Sequence, residues 1–284
     1  MERKTILTLR ERAALMRSLE IKALHGAKSG HPGGSLSITD AVAYLYFHKM
    51  NVDPANPSAP NRDRFVLSKG HCCPAVYAAL ALKGYFDVSE LDNLRKLGGM
   101  LQGHPDMKSV PGIDMSTGSL GQGFSAACGM AIAGKRSGAP YRVYTILGDG
   151  EIQEGQIWEA AMFANMYGLS NLTAFIDSNR YQIDGAVADV MSPYPIDEKF
   201  RAFGWHVITI DGHNFEQIDR AVAESESCGK PCAIVMDTVK GKGVSYMENN
   251  YQWHGKAPKD DEYEIAEKEL TAAYELAKEE LING

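Results

Sequence analysis

Apolar residues recur at helical spacing over residues 9–27, where Ala, Leu and Met alternate with Arg, Glu and Lys, and the pattern predicts a helix. A second helix is expected to start at Thr39 and Asp40, residue types that can cap it, and to run towards Met50. The intervening GHPGGS reads as a turn, and residues 52–63, rich in Pro, Asn and Asp, read as a loop. RFVLS then has strand character and PAVYAALALKG helical character. Further on, YRVYTI (141–146), LTAFID, WHVITI and CAIVMD are short β-branched and aromatic runs separated by helical stretches. That alternation predicts an α/β fold of three layers, a mostly parallel sheet with helices on both faces.

No internal repeat, low-complexity tract or long linker divides the chain. The expectation is one domain over 1–284, with a helical tail at about 260–284. Residues 98–123 form a glycine-rich segment too long for a mere connector, and long ordered loops are usually functional.

Composition narrows the function classes. A hydrophobic content of 44% is ample for a core, and 29 basic against 36 acidic residues give a net charge of −7. Without a run of five like charges, no nucleic-acid footprint is expected. The charged N-terminus lacks an apolar signal core and no window holds eighteen consecutive apolar residues, so no membrane partner is expected and the location is read as cytoplasmic. Cys72, Cys73, Cys128, Cys228 and Cys232 show neither a Cys-x-x-Cys pair nor zinc-finger spacing and are expected to be reduced thiols.

The chemistry starts at LGDGEIQEG, where a strand ends in Gly-Asp-Gly before a helix. In parallel sheets ligands bind at the carboxyl ends of strands, and flanking glycines let them approach the backbone. Asp149, the Asn179 side chain at the next strand end and a main-chain carbonyl near Tyr181 would offer hard oxygen donors to Mg²⁺ or Ca²⁺. The same residues can equally be a helix cap and a local turn. His31 and His104 precede proline, His71 follows glycine and His254 stands in WHGKAP. All lie in turn contexts, where imidazoles suit proton transfer near neutral pH.

SGHPGGSLSITDAVAYLY, RFVLSKGHCCPAVYAAL, GHPDM, STGSLGQG, LGDGEIQEG, DSNRYQIDG and TVKGKG followed by WHGKAP resemble, in the same order, the diphosphate-binding N-terminal domain of the transketolase family. The resemblance implies thiamine diphosphate as cofactor and a metal held by Asp149, Asn179 and the Tyr181 carbonyl. It implies that Gly150 approaches the diphosphate, that Gly118, Leu120 and Ile183 line the cofactor rings, and that Lys240 is the cofactor-side lysine of the animal-type enzymes. It implies that His71 and His254 approach the diphosphate while His31 and His104 face sugar hydroxyls. Glu154 and Glu159 match acids that join two active sites at a subunit contact; by position alone, Glu154 favours a helix N-terminus.

Full transketolases continue into pyrimidine-binding and C-terminal domains, whereas this sequence stops at ELAKEELING. The expectation is therefore the N-terminal subunit of a split transketolase. It would pair with a separate C-terminal chain and self-associate into a heterotetramer with two copies of each chain. The reaction implied is transfer of a two-carbon ketol group between sugars or sugar phosphates. The competing readings are the corresponding subunit of another thiamine diphosphate enzyme, either a deoxyxylulose phosphate synthase or a 2-oxo acid dehydrogenase, and a non-catalytic binding homologue.

Overall fold

The computed structural model describes residues Met1–Gly284. The first half of the chain runs through α1 (Arg3–Ala27), α2 (Pro32–Tyr44), β1 (Arg64–Leu67), α3 (Cys73–Lys83), α4 (Gln122–Ser137), β2 (Val143–Gly148) and α5 (Gly155–Met166). Then follow β3 (Leu172–Ser178), a small hairpin of β4 (Tyr181–Gln182) and β5 (Gly185–Ala186), and α6 (Val187–Met191). α7 (Ile196–Ala202), β6 (His206–Asp211), α8 (Phe215–Ser227), β7 (Cys232–Asp237) and α9 (Asp260–Asn283) complete it.

Five strands pair in the order β1-β2-β3-β7-β6, all parallel. Successive side chains on a strand face opposite ways, and this alternation sorts the apolar residues into two cores. On one face Tyr144, Ile146, Phe175, Ile234 and Met236 pack with α1, α2, α3 and α8. On the other, Val143, Leu147, Ile176, Ala233 and Val235 pack with α4, α5 and α7. The three-layer α/β arrangement expected from the alternating pattern is thus present, with the central strands apolar on both faces as a buried parallel sheet requires.

The polar carboxyl edge matters most for the site. Gly148 pairs in register with Asp177, so Asp149 and Asn179 leave adjacent strands at the same edge of the sheet. The Asp149 amide donates to the Asp177 carbonyl at 3.1 Å.

Three expectations need correction. GHPGGS is largely helix, because α2 begins at Pro32 rather than at Thr39. Proline suits the first helical turn, where its missing N–H costs nothing. Gly33 and Gly34 are poor helix formers, at about 1 kcal/mol each, but close packing leaves no space for larger residues. A Cβ on Gly33 would lie 2.9 Å from the Trp253 carbonyl, and one on Gly34 2.7 Å from Cys72 Sγ. Thr39 and Asp40 therefore cap nothing. Thr39 Oγ1 is 2.9 Å from Glu20, and Asp40 pairs with Arg17 across α1 and α2. α1 also begins at Arg3 rather than near Leu9.

α9 lies antiparallel along α1. Asp260 at its start is 2.7 Å from Lys28 and 2.8 Å from His25, and Glu280 near its end is 3.8 Å from Arg10. No helix is long and apolar enough to cross a membrane. All five cysteines are free.

The buried Arg17–Asp40 pair gives a stability prediction. Arg17 Nη2 and Nη1 lie 2.5 and 3.2 Å from the Asp40 carboxylate, which also meets His213 Nδ1 at 2.7 Å. Burial raises the Asp40 pKa, but Arg17 and the His213 bond outweigh it and hold the carboxyl at about 2. Replacing Arg17 by Leu leaves this carboxylate without its cation, and should lower unfolding stability by about 3–5 kcal/mol in urea titrations near neutral pH. The contribution is complete above about pH 4, the ordinary carboxylate range, and is lost as pH falls towards 2, so variant and parent should converge in acid. Equal unfolding midpoints near pH 7 would show that the pair carries no stability.

Candidate active site

A cavity of about 310 Å³ opens at the carboxyl edge of the sheet. The turn before α2 supplies His31, the segment after β1 supplies Lys69 and His71, and the long loop before α4 supplies His104, Gly118 and Leu120. Asp149, Gly150 and Glu154 follow β2, and Asn179, Tyr181 and Ile183 follow β3. Lys240 and His254 come from the segment after β7. The sheet thus brings together every residue singled out from the sequence except Glu159, which is exposed on α5 outside the cavity.

The long glycine-rich loop has a steric reason for its composition. Gly118 has φ +149°, and a Cβ there would come within 3.1 Å of the His104 ring. The loop can deliver both residues to one wall because this position carries no side chain.

Asp149 is almost wholly buried, and burial followed by the charge of Asp177 raises its pKa to about 6. Its Oδ1 accepts from the Gly150 amide at 2.8 Å, and its Oδ2 from the Arg180 amide at 2.6 Å and the Tyr194 hydroxyl at 3.1 Å. Asn179 Oδ1 accepts from the Tyr181 amide at 3.1 Å, while its Nδ2 donates to Asp177 at 2.7 Å. The turn-forming reading of Asn179 and its delivery to the cavity are therefore compatible. The Tyr181 carbonyl accepts Lys240 Nζ at 3.0 Å. No cluster of three His, Cys, Asp or Glu side chains forms a metal site. A carboxylate, an amide oxygen and a carbonyl nonetheless suit a hard cation, and the raised Asp149 pKa marks a carboxylate whose charge is poorly compensated.

Lys240 is buried rather than solvated. Burial, then the charge of Lys69, lowers its pKa to about 8. Its Nζ also lies 3.1 Å from His254 Nδ1, which acts as acceptor and leaves the ring hydrogen on Nε2.

The imidazoles form a cluster around His31, whose ring centroid is 5.1 Å from that of His71, 5.5 Å from His254 and 6.2 Å from His104. Burial lowers the pKa of every one. His31 falls to about 4, helped by Arg95, and His254 to about 3, helped by Lys240. His71 lies well below its ordinary value through burial and Lys69, and His104 is lowered by burial and Arg95. Near neutral pH these groups are uncharged and can each donate and accept a hydrogen bond. The Nδ1 of His31 is buried without a partner.

Sequence reasoning missed three supports. Glu151, the first acid after Gly-Asp-Gly, is buried in the cavity wall. It accepts from Ser68 Oγ at 2.5 Å and the amides of Gly121 and Gly148 at 2.9 and 3.0 Å, so one carboxylate ties three loops. Lys69 is buried against Asp177 at 2.5 Å. Gln153 and Gln182 meet at 2.6 Å over the cavity rim. The available signal was a lysine at the end of an apolar strand, a place where an unpaired charge is not tolerated.

Residues 9–279 match the family described as transketolase, thiamine diphosphate binding domain. The chain is 50% identical over 265 residues to the 6-deoxy-6-sulfo-D-fructose transketolase subunit SqwG of Clostridium sp. (strain MSTE9), covering 93% of this chain and 96% of that subunit. It is 43% identical to one subunit of the apulose-4-phosphate transketolase of Phocaeicola vulgatus, covering 92% of each. The crystal structure of transketolase from Campylobacter jejuni superposes with a TM-score of 0.87 at 30% identity, over 97% of this chain. The chain spans 47% of that longer polypeptide. A match over nearly the whole chain, with the same fold, shows that it belongs to the transketolase family and carries its thiamine diphosphate-binding domain.

Proposed function

We propose that this chain is the N-terminal subunit of a split transketolase, completed by a separate subunit with pyrimidine-binding and C-terminal domains. The observation that carries this reading is the convergence of a hard-oxygen donor set, a buried lysine and uncharged imidazoles in one cavity. Relatives that the chain matches over 96% and 92% of their own lengths are themselves named as subunits, which supports a two-chain enzyme. Exposed apolar side chains near the cavity, Ile183 and Met191, support association with another chain.

Asp149, Asn179 and the Tyr181 carbonyl would hold Mg²⁺ or Ca²⁺, with Gly150 allowing close approach of the diphosphate. When bound, thiamine diphosphate supplies the electron sink for breaking and making a carbon–carbon bond beside a carbonyl. His71, His254 and Lys240 serve the diphosphate side, and Gly118, Leu120 and Ile183 line the cofactor rings. His31 and His104 bind and orient the sugar hydroxyls, where a neutral imidazole can hold or release a proton. Glu154 and Glu159 belong to a subunit contact in a heterotetramer of two copies of each chain. The substrates are a ketose donor and an aldose acceptor, at least one carrying an anionic end such as a phosphate, and the enzyme works in the cytoplasm.

Replacing Asp149 by Ala should weaken Mg²⁺ and cofactor binding to the reconstituted enzyme by about 100-fold while retaining the fold. Calorimetry and circular dichroism check this, and unchanged affinities would remove Asp149 from the metal site. His31→Ala and His104→Ala should lower kcat/KM for the ketose by about 100-fold with little change in cofactor affinity. His71→Ala and His254→Ala should show the opposite bias, and equal shifts in both constants across all four variants would refute the division. The purified chain should have no appreciable ketol transfer, and activity should rise with added partner until stoichiometry is reached. Light scattering beside a coupled assay tests this, and full turnover by this chain alone would falsify the two-chain reading.

A further inference from the structure

Two Gly-His-Pro triplets occur in the chain, Gly30-His31-Pro32 and Gly103-His104-Pro105, and both deliver their histidine to the cavity. Arg95, which does not line the cavity, lies between them. Its Nη1 donates to Ser29 Oγ at 3.2 Å and its Nη2 to the Gly103 carbonyl at 3.3 Å. Neither partner is a carboxylate. The guanidinium packs against the glycine of each triplet. A Cβ on Gly103 would fall 2.5 Å from Arg95 Cζ, and one on Gly30 3.7 Å from its Nε. The arginine is itself held by its backbone, which adopts φ +58° and donates its amide to the Leu101 carbonyl at 2.8 Å. A planar fork with fixed donor directions suits such bridging better than a flexible ammonium would.

We propose that Arg95 is a positioning residue for the ketose: its guanidinium bridges the two Gly-His-Pro turns and fixes the separation of the His31 and His104 imidazoles. This rests on the reading that both histidines face the sugar. The positive charge of Arg95 also lowers the pKa of both rings, a second sign that one guanidinium serves the pair. Nothing links Arg95 to the oxygen donors of Asp149 and Asn179, so a loss confined to sugar binding is expected.

The test uses the reconstituted two-chain enzyme. Arg95→Gln should raise the ketose KM by about 10-fold or more, because a small misplacement of binding groups is costly, while Mg²⁺ and cofactor affinities stay within about twofold. Arg95→Lys should recover only part of the loss, since charge returns without the fork. Gly103→Ala, which drives a methyl group into the guanidinium, should reproduce the Arg95→Gln phenotype with the arginine present. In the isolated chain, histidine NMR titrations should move the His104 pKa upward in Arg95→Gln and leave it close to the parent's in Arg95→Lys, which keeps the charge; an equal rise in both variants would mark loss of burial alone. An unchanged ketose KM in Arg95→Gln, with His104→Ala impaired, would overturn the clamp and leave the histidine assignment standing. Unimpaired His31→Ala and His104→Ala variants would overturn that assignment and the clamp with it. A comparable fall in cofactor affinity in Arg95→Gln would also overturn the proposal, because the arginine would then be a general structural support.

Discussion

The site depends on the carboxylate of Asp177. It is fully buried at the end of the central strand and accepts from Ser37 Oγ at 2.7 Å, Lys69 Nζ at 2.5 Å, Asn179 Nδ2 at 2.7 Å and the Thr238 hydroxyl. These donors come from α2, the segment after β1, the end of β3 and the segment after β7. A single buried anion would be costly, and a pair with one cation only partly offsets that cost. Four donors meet its lone pairs, and Lys69 holds its pKa below the ordinary carboxylate range despite burial. One consequence is geometric. With its Nδ2 committed to Asp177, Asn179 must aim its Oδ1 towards the Tyr181 turn beside Asp149, so the amide orientation is set by the hub beneath it.

Much of this was legible in the sequence because strand pattern and motif chemistry are local properties. The runs YRVYTI and LTAFID place Asp149 and Asn179 at strand ends whichever way the sheet is ordered, and parallel pairing puts both at one edge. Gly-His-Pro marks turns through the intrinsic behaviour of its residues. What stayed hidden was set by partners distant in the chain. Gly33 and Gly34 read as turn formers, yet they stand inside a helix, and they are glycines because Trp253 and Cys72 leave no room for a side chain. Thr39 and Asp40 read as caps because the Arg17 and Glu20 that engage them lie on another helix. Glu151 had no local signature either, since its ligands are a hydroxyl and two amides from three separate segments. The resemblance to transketolases pointed to most of the polar residues that reach the cavity, but not to Lys69, Glu151, Gln153 and Gln182, which line it too.

The electrostatics of the cavity run against the charge of the whole chain. The protein carries a net charge of −7, yet the cavity wall holds Lys69 and Lys240, with Arg95 behind His31 and His104. These cations and burial together keep the imidazoles uncharged. The same burial disfavours charge on both Asp149 and Lys240, raising one pKa to about 6 and lowering the other to about 8. A divalent cation at Asp149 would favour its ionised form, and a diphosphate beside Lys240 would favour the ammonium. Each ion would offset a desolvation penalty built into the folded chain, and the two would also attract one another across the cavity. Metal and diphosphate should therefore be recognised as a pair: either alone relieves one strained charge while leaving the other in place.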